Sequence, residues 1–342
     1  PLQSYRVSEE SWAGFLQANL SGERWSGNVG VRVVQTNTSA QAWDAKILDI
    51  IENGAFNYTA VYDDPTAITQ DNDYTYVLPS INLNYRITEE LRLRLGAAKT
   101  MARPSVETLA PTNTTESVSW GEFTQIYGGN AALKPYSAVQ YDASLEYYFR
   151  PNSIFNIAVF KKDIEDQITT SWEPGQDIGV PGYLFNVQRP INGDTAEVHG
   201  VEVGLQHFLD NGLGVRAQYT RNWSKSYVGD LERPLEGIAP SVYSLGLFYE
   251  RGPLSMSASA DQTDGFVTAI NVLGEGYNEE ADPITWVTAH ISYKVTDNID
   301  ISLEGQNLLD EANTYSINGN PLLPQGYYRY GASYKLGLSY RF

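Results

Sequence analysis

The chain has 342 residues, with 24 Tyr, 7 Trp, 29 Gly, no Cys and a formal net charge of −18. It contains no apolar run of about 18 residues, which excludes a helical membrane span. The acidic balance argues against a nucleic-acid partner, whose phosphates would be repelled, and the lack of Cys suits passage through an oxidising periplasm without disulfide staples.

From the start of the chain the side chains alternate. Leu16, Ala18 and Leu20 fall on one face, with Phe15, Gln17 and Asn19 on the other, as a strand requires. After a short turn, Val29, Val31 and Val33 alternate with Asn28, Gly30 and Arg32. Residues 40–72 read as a long polar loop, with a short helix expected over 43–52. Strand 73–88 turns at Glu89–Glu90 into a strand where Leu91, Leu93 and Leu95 alternate with Arg92, Arg94 and Gly96. A second long loop covers about 103–136.

Strands 137–150 and 153–168 meet at Pro151–Asn152, and a third loop covers about 170–194. Strands 195–209 and 213–228 are joined by Asp210-Asn211-Gly212, a hairpin signal. Loop 229–240 precedes strands 241–251 and 254–270. Loop 271–283 precedes strands 285–295 and 299–307, and a last loop spans about 309–325. The closing segment, 327–342, has Tyr328, Tyr330, Ala332, Tyr334, Leu336, Leu338, Tyr340 and Phe342 on one face. Aromatic ends around an aliphatic middle suit a bilayer-crossing strand with tyrosines at both interfaces.

The pattern predicts about thirteen strands whose connections alternate short and long. A soluble sandwich has no reason to gather every long loop at one end, whereas an outer-membrane barrel does. The expected fold is therefore all-β: an antiparallel up-and-down transmembrane barrel with short periplasmic turns and long external loops. Complete bacterial barrels have an even number of strands. The 342 residues are thus expected to be the C-terminal part of a larger barrel, with strands 14–20 and 327–342 meant for neighbours outside it.

Several stretches carry a more specific signal. Gly129-Asn130-Ala131-Ala132-Leu133-Lys134-Pro135, followed by Tyr141 to Phe149, resembles the "GNPxLKP … YDLGLEYYF" signature of TonB-dependent receptors, with Ala131 where that family usually has Pro. Met101-Ala102-Arg103-Pro104-Ser105 resembles the family's "RP" segment. Val198 to Glu202 is similar to its "GxE" strand opening, and Gln306 to Asp310 to its "NLFD" segment. The terminal Phe342 resembles the aromatic signal read by the barrel-assembly machinery. The long loops resemble the subgroup abundant in Xanthomonas- and Caulobacter-type bacteria. The resemblance implies a 22-stranded barrel with an N-terminal plug, driven by the TonB complex, that takes up ferric siderophores, cobalamin or oligosaccharides through the outer membrane.

Candidate residues follow from the two faces and the loops. Inward charges Arg92, Arg94, Asp142, Glu146, Glu202, Arg216, Glu304 and Lys335 are of mixed sign, suiting a wet lumen wall or a docking surface for the plug. Loop aromatics Trp120, Phe123, Tyr127, Tyr136, Trp172, Tyr183 and Tyr277 are interleaved with amides and acids. Flat rings beside hydrogen-bonding groups suit sugars, so an oligosaccharide is expected ahead of a ferric siderophore, with a passive porin as the alternative. His199 and His207 share a face but lie about 26 Å apart by strand rise, so no shared metal site is expected. The inward row Ser255, Ser257 and Ser259 with Asp261 lacks a convergent base, so neither an enzyme nor a cofactor is expected.

Overall fold

The computed structural model describes residues 4–54, 58–119, 122–193, 195–228, 231–274 and 276–342. Among them, thirteen strands pair in chain order into one antiparallel sheet. They are β1 (Tyr5–Ser21), β2 (Trp25–Asp44), β3 (Thr66–Arg86), β4 (Leu91–Ala102), β5 (Tyr136–Arg150), β6 (Ser153–Glu165) and β7 (Thr195–Phe208). β8 (Leu213–Val228), β9 (Ser241–Arg251), β10 (Leu254–Thr263), β11 (Ile284–Thr296), β12 (Ile299–Gln306) and β13 (Ser333–Tyr340) follow, and the short strand Leu231–Arg233 pairs with β8 as a fourteenth member off this path. No pairing joins β1 to β13 among the described residues, so the sheet is open.

Directly paired residues share a face, and the registers separate two surfaces. Leu83, Leu95, Ala143, Val159 and Val201 are successive partners from β3 to β7. Leu247, Ala258, Ala289, Gly305 and Tyr334 continue the apolar surface from β9 to β13. On the opposite face, Arg92, Glu146, Asn156, Gly204, Gln218, Ser244 and Asp261 form a polar row from β4 to β10. A wall one residue thick with an apolar outside and a polar inside is the outer-membrane barrel solution.

The turns explain themselves locally. Gly212 has φ of +93°, which only glycine adopts cheaply, and its N–H closes the β7–β8 turn on the Leu209 carbonyl at 3.1 Å. Asn152 takes φ of +56° between β5 and β6, a conformation Asn tolerates better than most residues.

The external connections are more ordered than the sequence suggests. Strands at Asn113–Ser119, Glu122–Tyr127, Phe185–Asn192 and Ile168–Gln176 form one four-stranded sheet. Strands at Phe266–Ala269, Glu279–Ala281, Asn313–Ile317 and Asn320–Tyr328 form another. The hydrophobic core also sits here: Ile47, Ile50, Phe123, Val180, Phe185 and Val187 bury one another between three loops. Each such side chain contributes about 1.5–3 kcal/mol relative to exposure.

Four expectations are corrected. The helix expected over 43–52 is absent: β2 runs on to Asp44, and Ile47–Glu52 pairs with Tyr58–Tyr62. A register shift between Ile47 and Asp49 puts Ile47 and Ile50 on one side. A bulge thus imitates helical spacing. The one helix among the described residues is the four-residue turn Val106–Leu109, capped by Ser105.

The closing strand is shorter than expected. β13 covers only Ser333–Tyr340, while Tyr327 and Tyr328 belong to the loop strand Asn320–Tyr328. Gly331 breaks the run with φ of +78°, and Arg329 is held aside by an ion pair with Asp310. Likewise 254–270 divides into β10 and the separate loop strand Phe266–Ala269. At the other edge β1 is longer than the expected 14–20 and pairs with β2 along its whole length.

Candidate functional site

Strands β1 to β5 form a depression of about 620 Å³ on the wall, lined in part by Asn28, Asn82, Asn84, Arg94, Asp142 and Ser144. Arg94 donates to Glu146 at 2.8 Å. Tyr148 donates its hydroxyl to the same carboxylate at 2.7 Å, and the Arg92 guanidinium lies over the Tyr148 ring at 5.0 Å. Arg92, Arg94 and Glu146 are therefore brought together, and Asp142 lines the same depression as Arg94. The Asn84 side-chain oxygen in the depression is buried without a hydrogen-bond partner, and such an atom is costly unless something donates to it.

The other inward charges lie further along the wall. Glu202 is paired in register with Thr220. Arg216 donates to Gln206 at 3.1 Å and lies 5.6 Å from the Phe248 ring. Glu304 sits opposite Lys335 and opposite His290, and His290 opposite Ser257. The Ser259 hydroxyl is engaged by Asp261 and Thr288, and Gln306 donates to Glu304. On the apolar face His199 stacks on Trp223 at 5.5 Å and His207 meets Ser153 at 2.9 Å. Phe342 is fully exposed, with the Tyr340 ring 5.4 Å away.

Among the described residues the loop aromatics do not form a common platform. Trp120 lies outside the described residues. Phe123 is only 1 % exposed, and its ring is taken by Tyr58, Tyr183 and Phe185 at 5.2, 5.3 and 5.6 Å. Tyr127 also packs on this core, and Arg189 covers its ring at 5.3 Å. Phe123 and Tyr183 thus hold loops together instead of offering free faces. Tyr136 is at the start of β5 opposite Ala102, Trp172 is opposite Gln188, and Tyr277 is half exposed in a separate turn.

The sequence reading missed Arg189. It lies at a recess of about 220 Å³ lined in part by Asp44, Gln70, Asn113, Tyr127 and Asn130. Its nearest carboxylate, Glu173, is 3.7 Å away, and its Nε is buried without a partner. The surrounding amides are already oriented: Asn113 donates to Asp44 at 2.6 Å, and Asn130 to the Pro190 carbonyl at 3.1 Å. A cation on an aromatic face, lined by three amides and by the Asp44 carboxylate that Asn113 already engages, can hold an anionic or polar group. The recess draws on the ends of three loops, so no local sequence pattern could announce it.

Comparison with known proteins gives a consistent result. The family model "TonB dependent receptor-like, beta-barrel" matches residues 1–308. The chain is similar to the iron-regulated outer membrane virulence protein of Vibrio cholerae, at 24 % identity over 242 residues, covering 65 % of this chain and 34 % of that protein. Among solved structures it resembles the ferric-catecholate import receptor Fiu of E. coli K12 in its closed form (TM-score 0.68, 16 % identity, 99 % of this chain and 45 % of that one). It also resembles the copper transporter OprC (TM-score 0.67, 16 % identity, 98 % and 48 %). The siderophore receptor PirA of Acinetobacter baumannii follows (0.61, 14 %, 99 % and 55 %). The chain spans about half the length of these solved structures.

Proposed function

The chain belongs to the TonB-dependent receptor family, as β-barrel wall of an outer-membrane protein, and from that premise we propose that it serves TonB-energised uptake of an anionic metal chelate. The observation that carries the cargo class is the Arg189 guanidinium, set over Tyr127 at the external recess. Among its relatives, the ferric-catecholate import receptor is named for a metal chelate and supports the same class. The oligosaccharide expectation rested on loop rings as stacking platforms. With Phe123 and Tyr183 committed to packing, and no carbohydrate receptor among the relatives named above, that expectation has no support.

The depression around Arg94, Asp142 and Asn84 is the docking surface for the plug, which would donate to the Asn84 oxygen. The TonB complex acts through that plug-bearing region, membrane lipid covers the apolar rows, and the C-terminal strand with Phe342 meets the assembly machinery. Calorimetry on the full-length receptor tests the cargo: a ferric catecholate should bind, and Arg189→Ala should weaken it about 10–100-fold, the loss of one hydrogen bond to a charged group. Binding of a neutral oligosaccharide with no response to ferric catecholate would overturn the reading.

A further inference from the structure

The external loops fall into two groups by their contacts. In the first, the hairpin Ile47–Tyr62, the strand Glu122–Tyr127 and the segment 178–188 share the buried cluster around Phe123 and Phe185. Phe185–Gln188 pairs in parallel with Phe123–Ile126, a link between the second and third loops that no chain continuity imposes. Polar ties reinforce it: Asn113 to Asp44, Asn130 to the Pro190 carbonyl, and the Lys134 N–H to Asn192 at 2.9 Å.

The second group is built around the sheet that runs from Phe266–Ala269 through Glu279–Ala281 and Asn313–Ile317 to Asn320–Tyr328. Its Ile317 is 1 % exposed. The preceding loop joins it, since Glu236 accepts from the Ile270 N–H and Gly237 donates to the Val267 carbonyl, both at 2.8 Å. None of the strand pairings, side-chain hydrogen bonds, ion pairs or aromatic contacts among the described residues crosses from the first group to the second.

We infer that the part of the external face built by this chain consists of two separately cooperative jaws, one built from its first three long loops and one from its last three, so that it opens between jaws and never between loops of the same jaw. A shared apolar core makes the first jaw an opening unit, because separating one loop exposes the buried faces of the others, and the four-stranded sheet ties the second together by its backbone pairings. Among the described residues no shared buried cluster spans the seam between the jaws. The inference is independent of the cargo.

Hydrogen exchange on the full-length receptor tests it without any ligand. Phe185→Ala removes a fully buried ring of the third loop. Amides in 47–52, 58–62 and 122–127 should then exchange at least about tenfold faster, with 279–281 and 313–317 unchanged. Ile317→Ala should do the reverse. Acceleration confined to the third loop, or spread equally to the second jaw, would overturn the two-jaw division. Should Phe185→Ala fail to assemble, Phe185→Leu gives the same test in milder form. Spin labels provide a measurement without core substitution, since the chain has no Cys of its own. The exposed Leu48 and Leu184 report within the first jaw, and Leu184 with Leu322 reports between jaws. A narrow distance distribution for the first pair and a broader one for the second is expected; equal widths would count against the proposal.

Discussion

At the scale of single residues, Asn130 shows how a motif acts. Its amide donates to the Pro190 carbonyl of the third loop while its oxygen accepts from the Ala132 N–H at 3.0 Å. Asn130→Ala strands both groups and should cost about 1–3 kcal/mol, seen as a lower urea midpoint. Gly129 beside it faces the Ala110 carbonyl so closely that an added Cβ would displace backbone. Glu236 makes a pH prediction. Burial raises its carboxyl above the usual range, opposed in part by the Ile270 N–H. The folded state therefore keeps a proton that the unfolded chain has lost, so stability falls as pH rises from the ordinary carboxylate value through the higher folded one. Glu236→Gln should remove that slope in thermal melts taken from acidic to neutral pH. On the wall, Leu338 faces outward opposite Ile301 and Lys335 inward opposite Glu304. Leu338→Arg should cost about 2–4 kcal/mol near mid-membrane, and Lys335→Ala much less. Equal losses in a folding titration would mean the faces are reversed.

At the scale of elements, the junction before β13 is set by two features. Gly331 takes a left-handed φ of +78°, and Arg329 binds Asp310. Gly331→Ala puts an L side chain in that region and should cost about 1–2 kcal/mol, read as a lower denaturation midpoint. The Arg329 guanidinium holds the Asp310 carboxyl below its usual range. That contribution is present above the ordinary carboxylate value and lost as pH falls through the lowered one. Both groups lie in solvent, so its size is small. Loop strands owe more to packing than to propensity: Ile47–Glu52 is a strand because its bulge lets Ile47 and Ile50 reach the Phe123 core.

At the scale of the whole molecule, stability is divided between a thin wall and a packed exterior. The wall gains from lipid on one side and polar neighbours on the other. Its two free edges are unequal, since β1 has 17 residues and β13 has 8. Unpaired edge groups cannot be satisfied in hydrocarbon. The 342 residues refolded alone into lipid vesicles should therefore remain protease-sensitive and lack the heat-dependent gel mobility of a closed barrel. A compact, protease-resistant species would show that β1 and β13 can close on each other.

The sequence by itself determined the thirteen wall strands, their order and their two faces. Leu91, Leu93 and Leu95 against Arg92, Arg94 and Gly96 is a period-2 statement, and a lipid boundary forces that period on every strand that crosses it. It also carried the family, because Asn130, Arg103 and Asn307 stand in recognisable surroundings. Only the tertiary structure decided what the long loops do. Phe123 and Tyr183 read as loop aromatics free to meet a ligand, yet they meet each other and Phe185 across about sixty positions of chain to build a core. Arg189 gained its place over Tyr127 by the same long-range pairing. Local periodicity reports one surface shared along a strand, and it is silent where a surface is made by segments distant in sequence.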